Sequence, residues 1–429
     1  MSRTTRRTFL KVSGSVIGGI AVGTTVTAAE RTDRFIVKTR GNAGLSDFEV
    51  VHEMSGVDYA VVRGDERTLR KSRAVKDYAP DIEVTFDGPV SDPQAETNGS
   101  PADEPFYPLQ WDKQVLDVPA AHEVTQGEGT RIAVLDTGIP ESHPDFQDSL
   151  NAGLSRDFTG TGTHEPLGVQ FHGTHVGGIA AADDNEQGVV GVAPESEVVD
   201  LRVFEQLGEG ASFADILAAL VYSVNVGCDV ANLSLGAYPV PRQALGEFYG
   251  GVLNSVMTFA NKEGTLLVVA AGNDSANLQK DKNLISLPSE GAQAVSVAAT
   301  TSIGFLSDDL QNPGFAPASY TNYGTNAVTV AAPGGDIPED GGVPDLVYSA
   351  IPQRAADAFF GEGTPPYAYL AGTSMAAPQI AGAAALVKSA NPNYNANQVE
   401  SALKRAAEVP DGYPKEFYGA GFVNILDAL

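Results

Sequence analysis

The sequence predicts an α/β protein: a doubly wound, mostly parallel sheet with helices on both faces, preceded by a small α+β unit. Three observations predict it. From Arg131 onward, short and continuously apolar runs alternate with helical patterns, as strands buried on both faces do. Before them, Arg34 to about Asp87 reads as short strands around one helix. Between the two, Gly88 to Pro105 collapses into Pro, Asp, Gly, Ser and Asn, the composition of a linker.

In chain order, Thr5-Arg6-Arg7-Thr8-Phe9-Leu10-Lys11 is a twin-arginine signature. A Gly-rich apolar stretch, Val12 to Val22, and the small residues Thr27-Ala28-Ala29 follow it. That stretch is too short for a spanning helix, so residues 1–29 are expected to be an export signal that is removed. The chain is expected to be secreted in the folded state, with no membrane anchor. Residues 30–88 form the small unit: strands at Arg34–Lys38, Tyr59–Arg63 and Ile82–Phe86, and a helix from Glu66 to Lys76. Residues 89–104 are the linker, where proteolytic nicking concentrates.

Residues 105–429 make the large domain. Its expected strands are Arg131–Leu135, Val198–Val203, Val230–Leu235, Leu266–Ala271 and Ala294–Ala299. Helical patterns lie at His172–Ala182, Ser212–Val226 and Gly251–Glu263, and an Ala-rich apolar run spans Ala377–Val387. Pro378 is read as a first-turn residue of that last helix, where a missing N–H costs nothing.

The composition excludes some functions. Lys+Arg 27 against Asp+Glu 54 gives a net charge of -27, which repels a phosphate backbone and argues against nucleic-acid binding. Such acidity suits high salt, where screening removes the self-repulsion. One cysteine, Cys228, cannot form an intrachain disulfide.

The chemistry gathers from four separate stretches. A serine is a weak nucleophile until a neighbouring imidazole, oriented by a carboxylate, takes its proton. Asp136 directly follows a buried strand, where α/β sheets collect active-site groups. His172 opens His172-Gly173-Thr174-His175-Val176, and Ser374 sits in Gly372-Thr373-Ser374-Met375-Ala376-Ala377-Pro378. Asn273, in Ala270-Ala271-Gly272-Asn273, offers an amide donor for an oxyanion. An α/β-hydrolase esterase places its histidine after the serine. Here all six histidines precede Ser374, which excludes that order. A zinc peptidase needs His-Glu-x-x-His, which His172 and His175 do not supply. His175 is expected to pack beneath the site and His143 to serve its loop. A non-enzymatic binding protein on the same scaffold is the remaining rival.

These four segments, with Gly191-Val192-Ala193-Pro194, Asn232-Leu233-Ser234-Leu235-Gly236 and Ala331-Ala332-Pro333-Gly334, resemble the subtilisin-like serine peptidase family. The resemblance runs from about Phe106 to the C-terminus. Acidity and the twin-arginine start make it most similar to halolysins, the salt-adapted secreted subtilisins; the extension many of those carry is expected to be absent. The resemblance implies a subtilisin-like fold and a serine endopeptidase acting on proteins. Ser374 would attack, His172 serve as base then acid, Asp136 orient it, and Asn273 with the Ser374 N–H hold the oxyanion. Ser234-Leu235-Gly236 would pair with an extended substrate, and Ala270, Gly272 and Ser286 would line a roomy primary pocket. The first domain would be a prosegment that inhibits and chaperones the catalytic domain, which cuts it off. The mature enzyme is expected to be a monomer.

The resemblance also implies structural calcium. The loop Asp183-Asp184-Asn185-Glu186-Gln187-Gly188 offers hard oxygen ligands beside a turn glycine. By the family match, the Asp145 and Asn185 side chains and the carbonyls of Asp183, Gln187 and Val189 are ligands. Glu104 or Gln110 would complete the set.

Overall fold

The computed structural model describes residues 33–41, 44–85, 91, 105–205, 210–280, 283–307, 310–337 and 341–429, with the backbone of Val26–Ala28. The twin-arginine stretch and most of the predicted linker, Glu104 included, lie outside the described residues.

The N-terminal unit contains strands β1 (Arg34–Thr39), β2 (Glu49–Met54) and β3 (Tyr59–Arg63), helix α1 (Glu66–Lys71), then β4 (Val75–Pro80) and β5 (Ile82–Thr85). Four of its strands form an antiparallel sheet in the order β2-β3-β1-β4. Alternation sorts its residues by face. Phe35, Val37, Ala60 and Val62 pack with Leu69 of α1, whereas Ile36, Tyr59 and Val61 join a core of the large domain. The helix predicted to reach Lys76 ends at Lys71. Ser72 is extended, its hydroxyl accepts the Ala74 N–H, and Val75–Pro80 becomes a strand that the helical reading missed. Local hydrogen bonding by Ser competes with helix in this way.

The large domain is built on six parallel strands: β6 (Arg131–Asp136), β7 (Glu197–Arg202), β9 (Val230–Leu233), β10 (Leu266–Ala270), β11 (Ala294–Ile303) and β12 (Val330–Pro333). A short strand β8 (Gly210–Ser212) pairs antiparallel with β5 of the N-terminal unit. Sheet order is β12-β11-β10-β9-β6-β7, with shorter strands at both edges. The order reverses between β6 and β9, and such a switch point opens a crevice at the carboxyl ends of the strands. Parity again assigns the faces. Ile132, Val134, Val230 and Val268 lie on the face covered by helices α2 (His172–Ala181) and α5 (Thr373–Ala390). Ala133, Leu135, Leu233 and Val269 lie on the face covered by α3 (Phe213–Asn225) and α4 (Arg242–Glu263). The predicted doubly wound architecture is therefore the one the chain adopts.

Two packing details position the site. Gly173 lets α2 press on the end of β6: a Cβ there would stand 2.8 Å from the Gly138 N and 3.0 Å from the Asp136 Cβ. Helix α5 starts at Thr373, which puts Ser374 in its first turn as expected, but Pro378 lies in its second turn and not its first. A proline there cannot donate to the carbonyl four residues back, which is that of Ser374. Ser234 fills the gap, its hydroxyl donating to Ser374 O at 2.8 Å.

The N-terminal unit sits on α3 and α4 through apolar contacts and one buried polar cluster. Asp81 accepts from the Ala214 N–H (3.1 Å) and the Ser212 hydroxyl (2.7 Å) at the start of α3, where the helix dipole favours an anion. Arg34 forms an ion pair with Asp215 and lies 3.3 Å from Asp81, and the His52 imidazole meets Asp215 at 2.8 Å.

Candidate active site

Asp136 ends β6 and His172 begins α2, so a strand exit and a helix start meet. His172 Nδ1 lies 2.9 Å from each Asp136 carboxylate oxygen. The turn between them is locked. Asp136 accepts the Thr137 N–H at 2.7 Å, Thr137 Oγ1 accepts the Gly173 N–H at 2.9 Å, and Thr174 Oγ1 donates to Gly138 O at 3.2 Å. With Nδ1 committed to the carboxylate, Nε2 is the atom left to act as base. Nε2 is buried and has no hydrogen-bond partner among the described residues.

Ser374 lies in the first turn of α5, beside the exit of β9. Its Oγ donates to Ser234 O at 3.2 Å. Asn232 donates to the Ser234 hydroxyl at 2.9 Å, so the Ser234–Ser374 exchange is itself held in place. The serine and histidine that sequence reasoning paired thus share no hydrogen bond in this state. Catalytic hydrogen bonds often form only with substrate bound.

Asn273 follows β10. Its Oδ1 accepts the Thr373 N–H (2.9 Å) and the Thr373 hydroxyl (2.8 Å), and Thr373 Oγ1 accepts the Gly272 N–H at 3.1 Å. A backbone N–H can only donate, so the oxygen end of the amide faces Thr373 and the NH2 end faces away. A point at the place of a Cβ on Gly372 would be 3.6 Å from both Asn273 Nδ2 and the Ser374 N. Two donors therefore flank one small space. Thr373 and Asn322 are functional supports that the sequence reading missed. Asn322 accepts from the Asp274 and Ala276 N–H groups and donates to Ala271 O, fixing the loop that carries Asn273. Neither stands at a recognisable strand exit.

Of the expected substrate-binding residues, Gly236 faces Gly272, with a Cβ on Gly236 only 3.9 Å from the Gly272 Cα. Leu235, Ala270 and Ser286 are buried, and Ser286 Oγ donates to Ala271 O at 3.4 Å. His175 Nε2 donates to Ala368 O (3.0 Å), and burial pushes its pKa down to about 3, so it stays neutral. His143 caps Asp145 N at 3.2 Å.

The expected calcium residues lie on two adjoining segments. Asp145 is buried against the 183–189 loop, where it accepts the Val189 N–H at 3.1 Å and the Tyr367 hydroxyl at 2.9 Å. Asn185 donates to Pro144 O at 3.0 Å. No donor among the described residues reaches the carbonyls of Asp183, Gln187 or Val189. Unpaired carbonyls beside a buried carboxylate fit a hard cation. Gln110 is committed elsewhere, strapped to Val190 N (3.1 Å) and O (2.9 Å). Among the described residues, no group of three His, Cys, Asp or Glu side chains could hold a metal by itself.

The profile of the subtilase family matches residues 127–421. The chain belongs to the subtilase family. Subtilisin BL from Lederbergia lenta is 35% identical over 317 residues, covering 74% of this chain and 97% of that protein. An extracellular protease from Xanthomonas campestris is 34% identical over 342 residues, which cover 72% of this chain and 52% of that protein. A crystal structure of an epidermin leader peptide processing serine protease from Staphylococcus aureus superposes with a TM-score of 0.70 at 19% identity. It covers 92% of this chain and 97% of its own, a likeness of fold that extends over most of the subtilase described here. The subtilase is a serine endopeptidase. No helix among its described residues is long and apolar enough to cross a membrane.

Proposed function

We propose that this subtilase cleaves proteins through Asp136, His172 and Ser374 with an oxyanion site of Asn273 Nδ2 and the Ser374 N–H. One observation carries the reading: His172 Nδ1 meets both Asp136 oxygens while two donors flank one point beside Ser374. Ser374 Oγ turns from Ser234 O to His172 Nε2 when substrate binds, and attacks the scissile carbonyl. The imidazole takes the proton and returns it to the leaving amine, while Asp136 holds the tautomer and stabilises the cation. Asn273 and Ser374 N bind the developing oxyanion. Asn273→Ala should lower kcat by about 10²–10³ with little change in KM, a magnitude known from subtilisin itself. An unchanged kcat removes Asn273 from the mechanism. Ser234-Leu235-Gly236 pairs with substrate main chain, and the glycine walls at Gly236 and Gly272 leave the pocket room for bulky apolar side chains.

The N-terminal unit acts as an intramolecular inhibitor and chaperone. Two contacts support this: β5 adds to β8 of the large domain, and Ser91 Oγ accepts the Ala371 N–H at 3.1 Å, three residues before Ser374. The enzyme releases the unit by cutting within residues 89–104. Export by the twin-arginine route and adaptation to salt are the reading of the N-terminal motif and of the -27 charge. N-terminal sequencing of the secreted wild type tests the release of the N-terminal unit: a start between residues 89 and 105 supports it, and a start at residue 30 rejects it.

Calcium, held by Asp145, Asn185 and the carbonyls of Asp183, Gln187 and Val189, ties the loop after α2 to the segment that carries Asp145. A chelator should lower the melting temperature by several degrees, and added calcium should restore it. Melting indifferent to chelation removes the metal from the account. In the same instrument, a melting temperature that does not rise with added salt argues against salt adaptation.

A further inference from the structure

Beside the catalytic pair stands a second carboxylate–imidazole pair. His164 Nδ1 meets Asp200 Oδ2 at 2.9 Å, and His164 Nε2 meets Glu141 Oε1 at 3.2 Å. Both ring nitrogens thus face carboxyl oxygens, and with both carboxylates ionised the doubly protonated imidazolium satisfies the two bonds. Asp200 is fully buried in β7 and its Oδ1 has no partner among the described residues, whereas Glu141 is exposed.

This pair is joined to the active site by backbone and by charge. Asp200 Oδ2 also accepts the Ile139 N–H at 2.9 Å, which fixes the turn that leaves Asp136. The loop carrying His164 closes over that same turn, where a Cβ on Gly138 would be 2.4 Å from His164 O. In register, Asp200 lies opposite Val134 and Arg202 opposite Asp136, so Asp200 and Asp136 project to the same face of the sheet. The other charged groups around them are accounted for. Arg202 is paired with Asp157 at 3.0 Å, Glu165 accepts the Glu141 N–H at 3.2 Å, and His175 is neutral.

We propose that Glu141, His164 and Asp200 form a positioning array for the catalytic pair. In it Asp200 holds the Asp136 turn, and the His164 cation cancels the charge of Asp200, leaving Asp136 as the carboxylate that acts on His172. Burial pushes the Asp200 carboxyl up to about 6. Burial works against a charged His164, but its hydrogen bonds to Asp200 and Glu141 outweigh this and raise its pKa. The inference rests on the proposed role of Asp136 and His172.

The test is the pH profile of kcat/KM on a small peptide substrate for wild type, His164→Gln, Asp200→Asn and the double variant, with melting curves for each. Where Asp200 is ionised, removing the His164 cation leaves its charge uncompensated, so the acid limb should move to higher pH. Asp200→Asn keeps an acceptor for Ile139 N–H but leaves the cation, so the acid limb should move to lower pH. The double variant should return close to wild type. A structural role alone would lower activity or melting without shifts of opposite sign. Shifts of the same sign, or unmoved limbs, overturn the proposal. A fall in kcat of about 10⁴ in Asp136→Asn and about 10⁶ in His172→Ala is the separate check on the reading beneath it.

Discussion

Ser374→Ala is expected to lower kcat by about 10⁶ and to leave the N-terminal unit attached to the chain. The magnitude is that known from subtilisin, where removing the nucleophile costs about as much as removing the whole triad. The residual rate would come from the oxyanion donors and substrate binding, which alanine leaves in place. The substitution should not disturb the fold. Ser374 O, which accepts from Ser234, is backbone and survives the change; only the 3.2 Å bond from Oγ to Ser234 O is lost. Kinetics on a peptide substrate, with the mass of the secreted product, measure both effects. A mature-sized product from this variant, made without other proteases, contradicts self-processing.

Asp136→Asn should cost about 10⁴ in kcat while leaving the backbone unchanged, because the amide presents an N–H where His172 needs an acceptor. The native carboxylate meets Nδ1 with both oxygens, and it also accepts the Thr137 N–H at 2.7 Å. The asparagine oxygen will be kept by Thr137, because a backbone N–H cannot accept. The NH2 group then faces His172 and favours the wrong tautomer, with the proton on Nε2. Activity should recover in part at high pH, where hydroxide can replace the missing base. A loss below tenfold at neutral pH contradicts the assignment.

How much of this was readable beforehand differs between elements for physical reasons. Strands β6, β9 and β10 are buried on both faces, so their apolar runs stand out, and the doubly wound sheet follows from their alternation with helices. The helix at 66–71 is legible, but residues 72–76 read as its continuation because it passes into a strand after Ser72, where a local hydroxyl bond decides and no period changes cleanly. The start of α5, with Ser374 in its first turn, is legible, but Pro378 falls in the second turn and not the first.

In the site, the residues at strand exits were legible and their supports were not. Asp136 and Asn273 follow apolar runs directly, and His172 and Ser374 begin small-residue helices. Thr373 and Asn322 act across separations of 100 and 51 residues, and nothing local marks that support; Ser234 is expected to meet substrate, whereas its bond to Ser374 O, 140 residues away, is not legible. The same holds for Asp200 and His164, an acid inside a strand and a loop histidine that meet only in the folded chain. The Ser374–Ser234 bond, in place of one to His172, is likewise a property of side-chain orientation that a linear pattern does not contain.

The most direct measurement is peptide mapping of the purified enzyme after reaction with a fluorophosphonate, which labels only a serine that a neighbouring base has activated. The account predicts one adduct, on Ser374, that disappears in a folded His172→Ala variant. An adduct on another residue, no adduct in the active protein, or labelling undiminished by loss of the imidazole contradicts it.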